Sequence, residues 1–214
     1  MTPIPLPTAK IYEGIEDKCI SFDAFGWHSH LPFISEIVRR VKPKVIIEAG
    51  SWKGASAIRM IQLCAEQGII AHIYCVDTWL GGADHTTKDL ADTQGVMRDR
   101  HGWPGIYYQF LHNVQASGLA DFITPIPMMT GHGAKLLKEH GIEADLIYID
   151  AGHETLECLC DIESYWPLLK NGATIFGDDY ERESVKDAVH HWVKKHNLAL
   201  QISSDGIFWA LVKP

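Results

Sequence analysis

A 214-residue chain with 46% hydrophobic and 21% charged residues can bury one full core, so it reads as one domain or one domain with an appendage. The formal charge of −8, with no basic stripe, excludes a general binder of nucleic acid or anionic membrane, which needs clustered Lys and Arg. No apolar run approaches the roughly 20 residues of a bilayer span, and the opening MTPIPLPTAK lacks the layout of a signal peptide. The five cysteines form no CxxC pair, and Cys64, Cys75, Cys158 and Cys160 fall inside element-like segments. They read as reduced, mostly buried thiols of a cytoplasmic protein. The twelve histidines are scattered; His28/His30 and His190/His191 lack a Cys or acidic partner at metal-site spacing and read as surface or structural.

Residues 1–30 carry turn formers and aromatics without periodicity and read as an N-terminal arm. Apolar residues at 34, 37, 38 and 41 predict a helix stopped by Pro43, followed by a strand at 44–49 and a helix at 54–67 closed by Gly68. A second strand at 69–79 leads into a long Gly- and charge-rich excursion, 80–103, with a short helix at 86–98. Such long loops in compact domains are usually functional, which makes this one a candidate substrate lid. A helix at 104–117, a strand at 122–126, the helix GAKLLKEH, the strand DLIYIDAGH and the helix HETLECLCDIESYWPLL come next. ATIFGDDY is a strand, ESVKDAVHHWVKKH an amphipathic helix, and the tail a β-hairpin about Ser-Asp-Gly. Strand and helix alternate about five times, which predicts an α/β, doubly wound, mostly parallel sheet with helices on both faces.

The turn GSWKG between the first strand and its helix is a candidate anion site, because glycine admits a close ligand and the helix start offers unpaired N–H groups. Trp52 and Lys53 stand where a dinucleotide fingerprint needs glycine, so the turn favours a smaller zwitterion held by backbone N–H groups, Ser51 or Ser56. Glu48, Asp77, Asp150, Asp178 and Asp179 all fall at strand carboxyl ends, where open α/β sheets bind ligands. Asp77 suits a ribose diol or caps a helix; Trp79, after Thr78, covers an adenine face or joins the core. Asp150 with Asp178 and Asp179 suits Mg²⁺ or another divalent cation, the alternative being a helix cap. His153 shares that rim and is placed to act as general base, or stands by.

VIIEAGSWKGAS, IYCVDTW and DLIYIDAGHE…WPLLKNGATIFGDDY resemble the class I methyltransferases that use S-adenosylmethionine, and in particular the bacterial small-molecule O-methyltransferases related to sugar-modifying and catechol-type enzymes. The resemblance covers roughly 31–214 and implies a Rossmann-like, seven-stranded sheet ending in a hairpin. It implies that Glu48, Gly50 and Gly54 hold the methionine part of the cofactor, with Ser51, Trp52 and Ser56 beside it, Asp77, Thr78 and Trp79 at the ribose and adenine, and Met129 and Thr130 flanking adenine. Asp150 borders the cofactor and, with Asp178 and Asp179, matches the metal ligands of metal-dependent relatives. The catechol-type lysine base is replaced by His153, and the acid of the sugar enzymes by Gly152. The implied reaction is methyl transfer to a hydroxyl of a small polar molecule, with His85, Trp103 and Tyr180 as substrate contacts. No nucleic acid or membrane partner is expected, and a homo-oligomer is left open. The competing readings are an NAD-dependent oxidoreductase, an iron-dependent hydroxylase, and a non-catalytic cofactor- or partner-binding domain.

Overall fold

The computed structural model describes residues 6–15, 21–82 and 103–214. A short 3-10 turn at Ala9–Tyr12 precedes helix α1, Pro32–Val41, which buries Phe33, Ile34, Ile37 and Val38 along one stripe. Pro32 fits the first helical turn, where its missing N–H costs nothing, and Lys42 ends the helix at φ 52°, donating its N–H to Val38 O. Strand β1, Val45–Ala49, then leads through the Gly turn into α2, Ala55–Glu66. The chain continues as β2 (His72–Asp77), α3 (Ile106–Ala116), β3 (Ile123–Pro127), α4 (Thr130–Glu139), β4 (Ala144–Ile149) and α5 (Thr155–Tyr165). It closes with β5 (Leu169–Gly177), α6 (Glu183–His196), β6 (Leu200–Ile202) and β7 (Trp209–Val212).

The seven strands run in the order β3-β2-β1-β4-β5-β7-β6. All pairings are parallel except those of β7, which lies antiparallel to both β5 and β6. Neighbouring residues of each central strand face opposite ways. Ile46 joins a core made with α1, α2 and α3, while Ile47 joins one made with α4, α5 and α6. Burial on both faces explains why VII and LIYI are continuous apolar runs rather than alternating ones. Strand β3 contains Pro125 and Pro127 and sits at the sheet edge, where a residue without an N–H leaves no central ladder bond unmade.

The alternating plan and the terminal hairpin match the sequence reading; the boundaries shift. Helix α4 begins one turn earlier, at Thr130, despite Gly131 and Gly133. Gly133 is required by packing, because a Cβ there would lie 2.2 Å from Cγ1 of the buried Val76. Helix α5 stops at Tyr165, and Pro167 turns the chain through a 3-10 segment, Trp166–Leu168, into a strand longer than expected. The helix expected at 86–98 lies outside the described residues. Three expected thiols, Cys64, Cys75 and Cys158, are buried, whereas Cys160 is exposed on α5. No helix among the described residues is long and apolar enough to cross a membrane.

Gly133→Ala separates helix propensity from packing. The substitution should gain about 1 kcal/mol of propensity, but the overlap with Val76 should cost about 1–3 kcal/mol. A net fall in thermal midpoint is expected by calorimetry; a rise would show that α4 does not press on β2 at this point.

Candidate active site

The Gly turn is built by backbone constraints. Gly50 has φ +85°, and a Cβ there would lie 1.8 Å from the Asp150 carbonyl oxygen, so no side chain is admissible. Gly54 has φ +86° and starts α2. Between them Ser51 N and Trp52 N both donate to Asp77 Oδ2 at 2.9 Å, and Trp79 N donates to Oδ1 at 2.7 Å. Asp77 therefore clamps the turn, and with about four acceptor sites per carboxylate it keeps acceptor capacity for a diol. Glu48 is fully buried and accepts hydrogen bonds from the Ser56 hydroxyl and, at 3.5 Å, from Cys75 Sγ. Burial pushes its carboxyl up to about 7 against these hydrogen bonds, which act in the lowering direction.

Three acids converge beyond β4 and β5, and they are not equivalent. Asp150, His153 and Asp179 present ligand atoms all within 4.8 Å of one another. His153 Nε2 lies 2.7 Å and Arg182 Nε 2.9 Å from the Asp179 carboxylate. Burial acts to raise Asp179, but His153 and Arg182 outweigh it and hold the carboxyl below its ordinary value. Asp178 turns elsewhere: both its oxygens lie 2.9 Å from His28 Nδ1, and Oδ1 also accepts from Asp179 N at 2.7 Å. The Tyr148 hydroxyl sits 3.2 Å from both Asp150 Oδ2 and Asp178 Oδ2. Asp150 is raised well above the ordinary value, by burial first and then by Asp178, Asp179 and Glu48.

The structure thus brings together the turn, Glu48, Ser56, Asp77, Asp150 and Asp179, and gives the other candidates different surroundings. Of the expected trio, Asp150 and Asp179 cluster with His153, while the Asp178 carboxylate faces His28. Trp79 is 2% exposed, packs on Tyr107 and Phe110, and donates its indole N–H to Trp52 O, so it belongs to the core beside the turn. The Thr130 hydroxyl is tied to Asp161 on α5, and Met129 is an exposed residue ahead of α4. Tyr180 is buried with its hydroxyl 2.8 Å from His190 Nε2 on α6. Thr78 is exposed and accepts from Leu80 N; Trp103 is exposed; His85 lies outside the described residues.

The sequence reading missed the N-terminal segment. Lys53 is 1% exposed and its Nζ lies 2.6 Å from Asp23 Oδ2. Asn113, fully buried on α3, donates to the carbonyls of Asp23 and Lys53 and accepts from Asp23 N. His28 then reaches Asp178, 150 residues away in sequence. No local spacing carries that signal, since the acidic partner of His28 arrives only through the fold.

A Gly turn and an acid rim at the crevice between β1 and β4 define a Rossmann-like enzyme site. The methyltransferase-domain family model matches residues 47–180, and the chain belongs to that family. No curated protein matches the sequence. Among solved structures it resembles SAH-bound Podospora anserina methyltransferase PaMTH1 (TM-score 0.65, 12% identity, 99% of this chain and 90% of that one). It also resembles the calicheamicin methyltransferase CalS11 (0.62, 18%, 98% and 86%) and the Bacillus cereus O-methyltransferase in complex with SAH (0.58, 15%, 98% and 94%). At these identities the likeness establishes the fold.

Glu48 gives a signed pH prediction. Its folded value, about 7, exceeds the ordinary 4.5, so between those pH values the folded state binds the extra proton and stability falls as pH rises. Relative to Glu48→Gln, the natural protein should lose on the order of 3 kcal/mol from pH 4.5 to 8. Chemical denaturation of both proteins across that range checks this; parallel curves would mean the carboxyl titrates normally.

Proposed function

We propose that this methyltransferase moves the methyl group of S-adenosylmethionine onto a hydroxyl of a small polar acceptor, with a divalent cation at Asp150, His153 and Asp179. The observation that carries the reading is the meeting of the Gly turn and the acid cluster, since Gly50 lies directly against the Asp150 backbone. The donor supplies an electrophilic methyl on a sulfonium, and the cation, when bound, orients the acceptor oxygen and lowers its pKa. Everything else falls to the chain. The turn, its Ser51 and Trp52 amides clamped on Asp77, places the donor, and Glu48 holds Ser56 and β2 beneath it. The shared position of donor and acceptor sites supplies orientation, the main contribution available to a displacement of this kind.

The donor set supports the cation. Asp150 is crowded by like charges, and two carboxylates with an imidazole make a mixed oxygen and nitrogen site. Carboxylates suit Mg²⁺, while the imidazole shifts preference towards Mn²⁺ and its neighbours, so both ions belong in the assay. The family match sets aside the nicotinamide reading. We place the protein in the cytoplasm on its thiols, none of which is paired among the described residues.

Calorimetric titration of S-adenosylmethionine into chelator-treated protein should give micromolar binding. Asp150→Asn and Asp179→Asn should each lower metal-stimulated turnover at least about 100-fold. Turnover unaffected by chelation would remove the cation, and no cofactor heat from folded protein would remove the donor. Gly50→Ala should abolish cofactor binding by displacing the turn; binding retained within a few-fold would place the cofactor away from it.

A further inference from the structure

We infer that His28, on the N-terminal segment, is the group that takes the acceptor proton; this rests on the methyl-transfer reading. Its ring is fixed at one end only. Nδ1 lies 2.9 Å from both Asp178 oxygens, and among the described residues the His28 ring has no other hydrogen-bond partner. A carboxylate on Nδ1 keeps the proton there and leaves Nε2 with an open lone pair, the arrangement that turns an imidazole into a base. The side chain is 28% exposed, so the proton has a route to solvent, while the buried Phe208 lies edge-on at 6.2 Å and restricts the ring. The other charged group facing it is Asp205 in the hairpin turn.

The location agrees. The segment that carries His28 crosses from α2, where a Cβ on Gly26 would lie 2.7 Å from Ala55 Cβ, to the end of β5. On the way Trp27 packs on Trp52 of the Gly turn at 5.8 Å. His28 therefore stands between the donor turn and the acid rim, and the Tyr148 hydroxyl links its partner Asp178 to Asp150.

His153, the more obvious candidate, is already committed. Its Nε2 faces Asp179 within the cation cluster. A neutral imidazole that gives one nitrogen to a cation carries its proton on the other and has no acceptor left. In the step itself the acceptor oxygen forms a bond to the methyl carbon and the carbon–sulfur bond breaks, its electron pair remaining on sulfur. The hydroxyl proton passes to Nε2 of His28 and from there to water.

His28→Gln can still donate to Asp178, so the segment stays docked, but its side chain cannot serve as the base. It should keep its melting temperature and bind S-adenosylmethionine within a few-fold of the natural protein, yet lose about 100-fold in kcat. Added imidazole should restore part of the activity of His28→Ala, which a structural role would not allow. Long-range ¹H–¹⁵N spectra of the natural protein without cofactor, with the His28 signal assigned by its loss in His28→Gln, should show the proton on Nδ1 and none on Nε2. Retained kcat in His28→Gln, failure of imidazole rescue, or a proton on Nε2 would each overturn the assignment. Lack of cofactor binding by the natural protein would instead overturn the methyl-transfer reading, and the tautomer measurement would still decide the state of His28.

Discussion

The close approach of Gly50 to the Asp150 backbone is the constraint on which the site depends. β1 and β4 are neighbours, and Asp150 N donates to Ala49 O at 2.8 Å while Gly50 N donates to Val76 O at 2.9 Å. Beyond these bonds the chain leaves to opposite faces, since α2 packs in one core and α5 in the other. A crevice must open where two parallel neighbours diverge in this way. Because position 50 has no side chain, the turn lies flat over the end of β4, and Glu48, Asp77 and Asp150 share one rim. A Cβ would push the turn away from the acid rim.

The N-terminal segment is held to that crevice by groups that would be costly to leave alone. A lysine 1% exposed needs a partner, and Asp23, itself 46% exposed, supplies it from the segment. Asn113 satisfies backbone groups of both Asp23 and Lys53 from a fully buried position, so segment, turn and α3 form one hydrogen-bonded unit. Residues 21–31 thus pack against the Gly turn and the end of β5.

Local patterns made the fold readable and left the site half readable. Continuous β-branched runs, glycines at turns and the 3.6 period of α1 and α6 gave each element, because each is dictated by residues close together in sequence. Strand-end acids were legible for the same reason. What could not be read was which acid pairs with which base. Asp178 and Asp179 are adjacent in sequence, yet the left-handed backbone at Asp179, φ 55°, sends their carboxylates to different partners. Trp79 shows the same division: its place after Asp77 is local information, whereas its burial against Tyr107 and Phe110 is tertiary.

The distribution of positive groups around the rim separates function from stability. Asp178 has His28; Asp179 has His153 and Arg182; Asp150 has the Tyr148 hydroxyl and, among the described residues, no ion-pair partner. Burial and three acidic neighbours act against its ionisation. A chain selected only to fold would replace such a carboxylate with an amide or an apolar group, because an uncompensated buried charge costs several kcal/mol or forces protonation. Glu48 and Asp178 are raised by burial too, but Asp150 is the one of the three rim acids without an ion-pair or imidazole partner among the described residues, and it stands where the turn and the rim meet. Asp150 is therefore a residue at which the fold gives up stability, and His28 is joined to it by three successive hydrogen bonds through Tyr148 and Asp178.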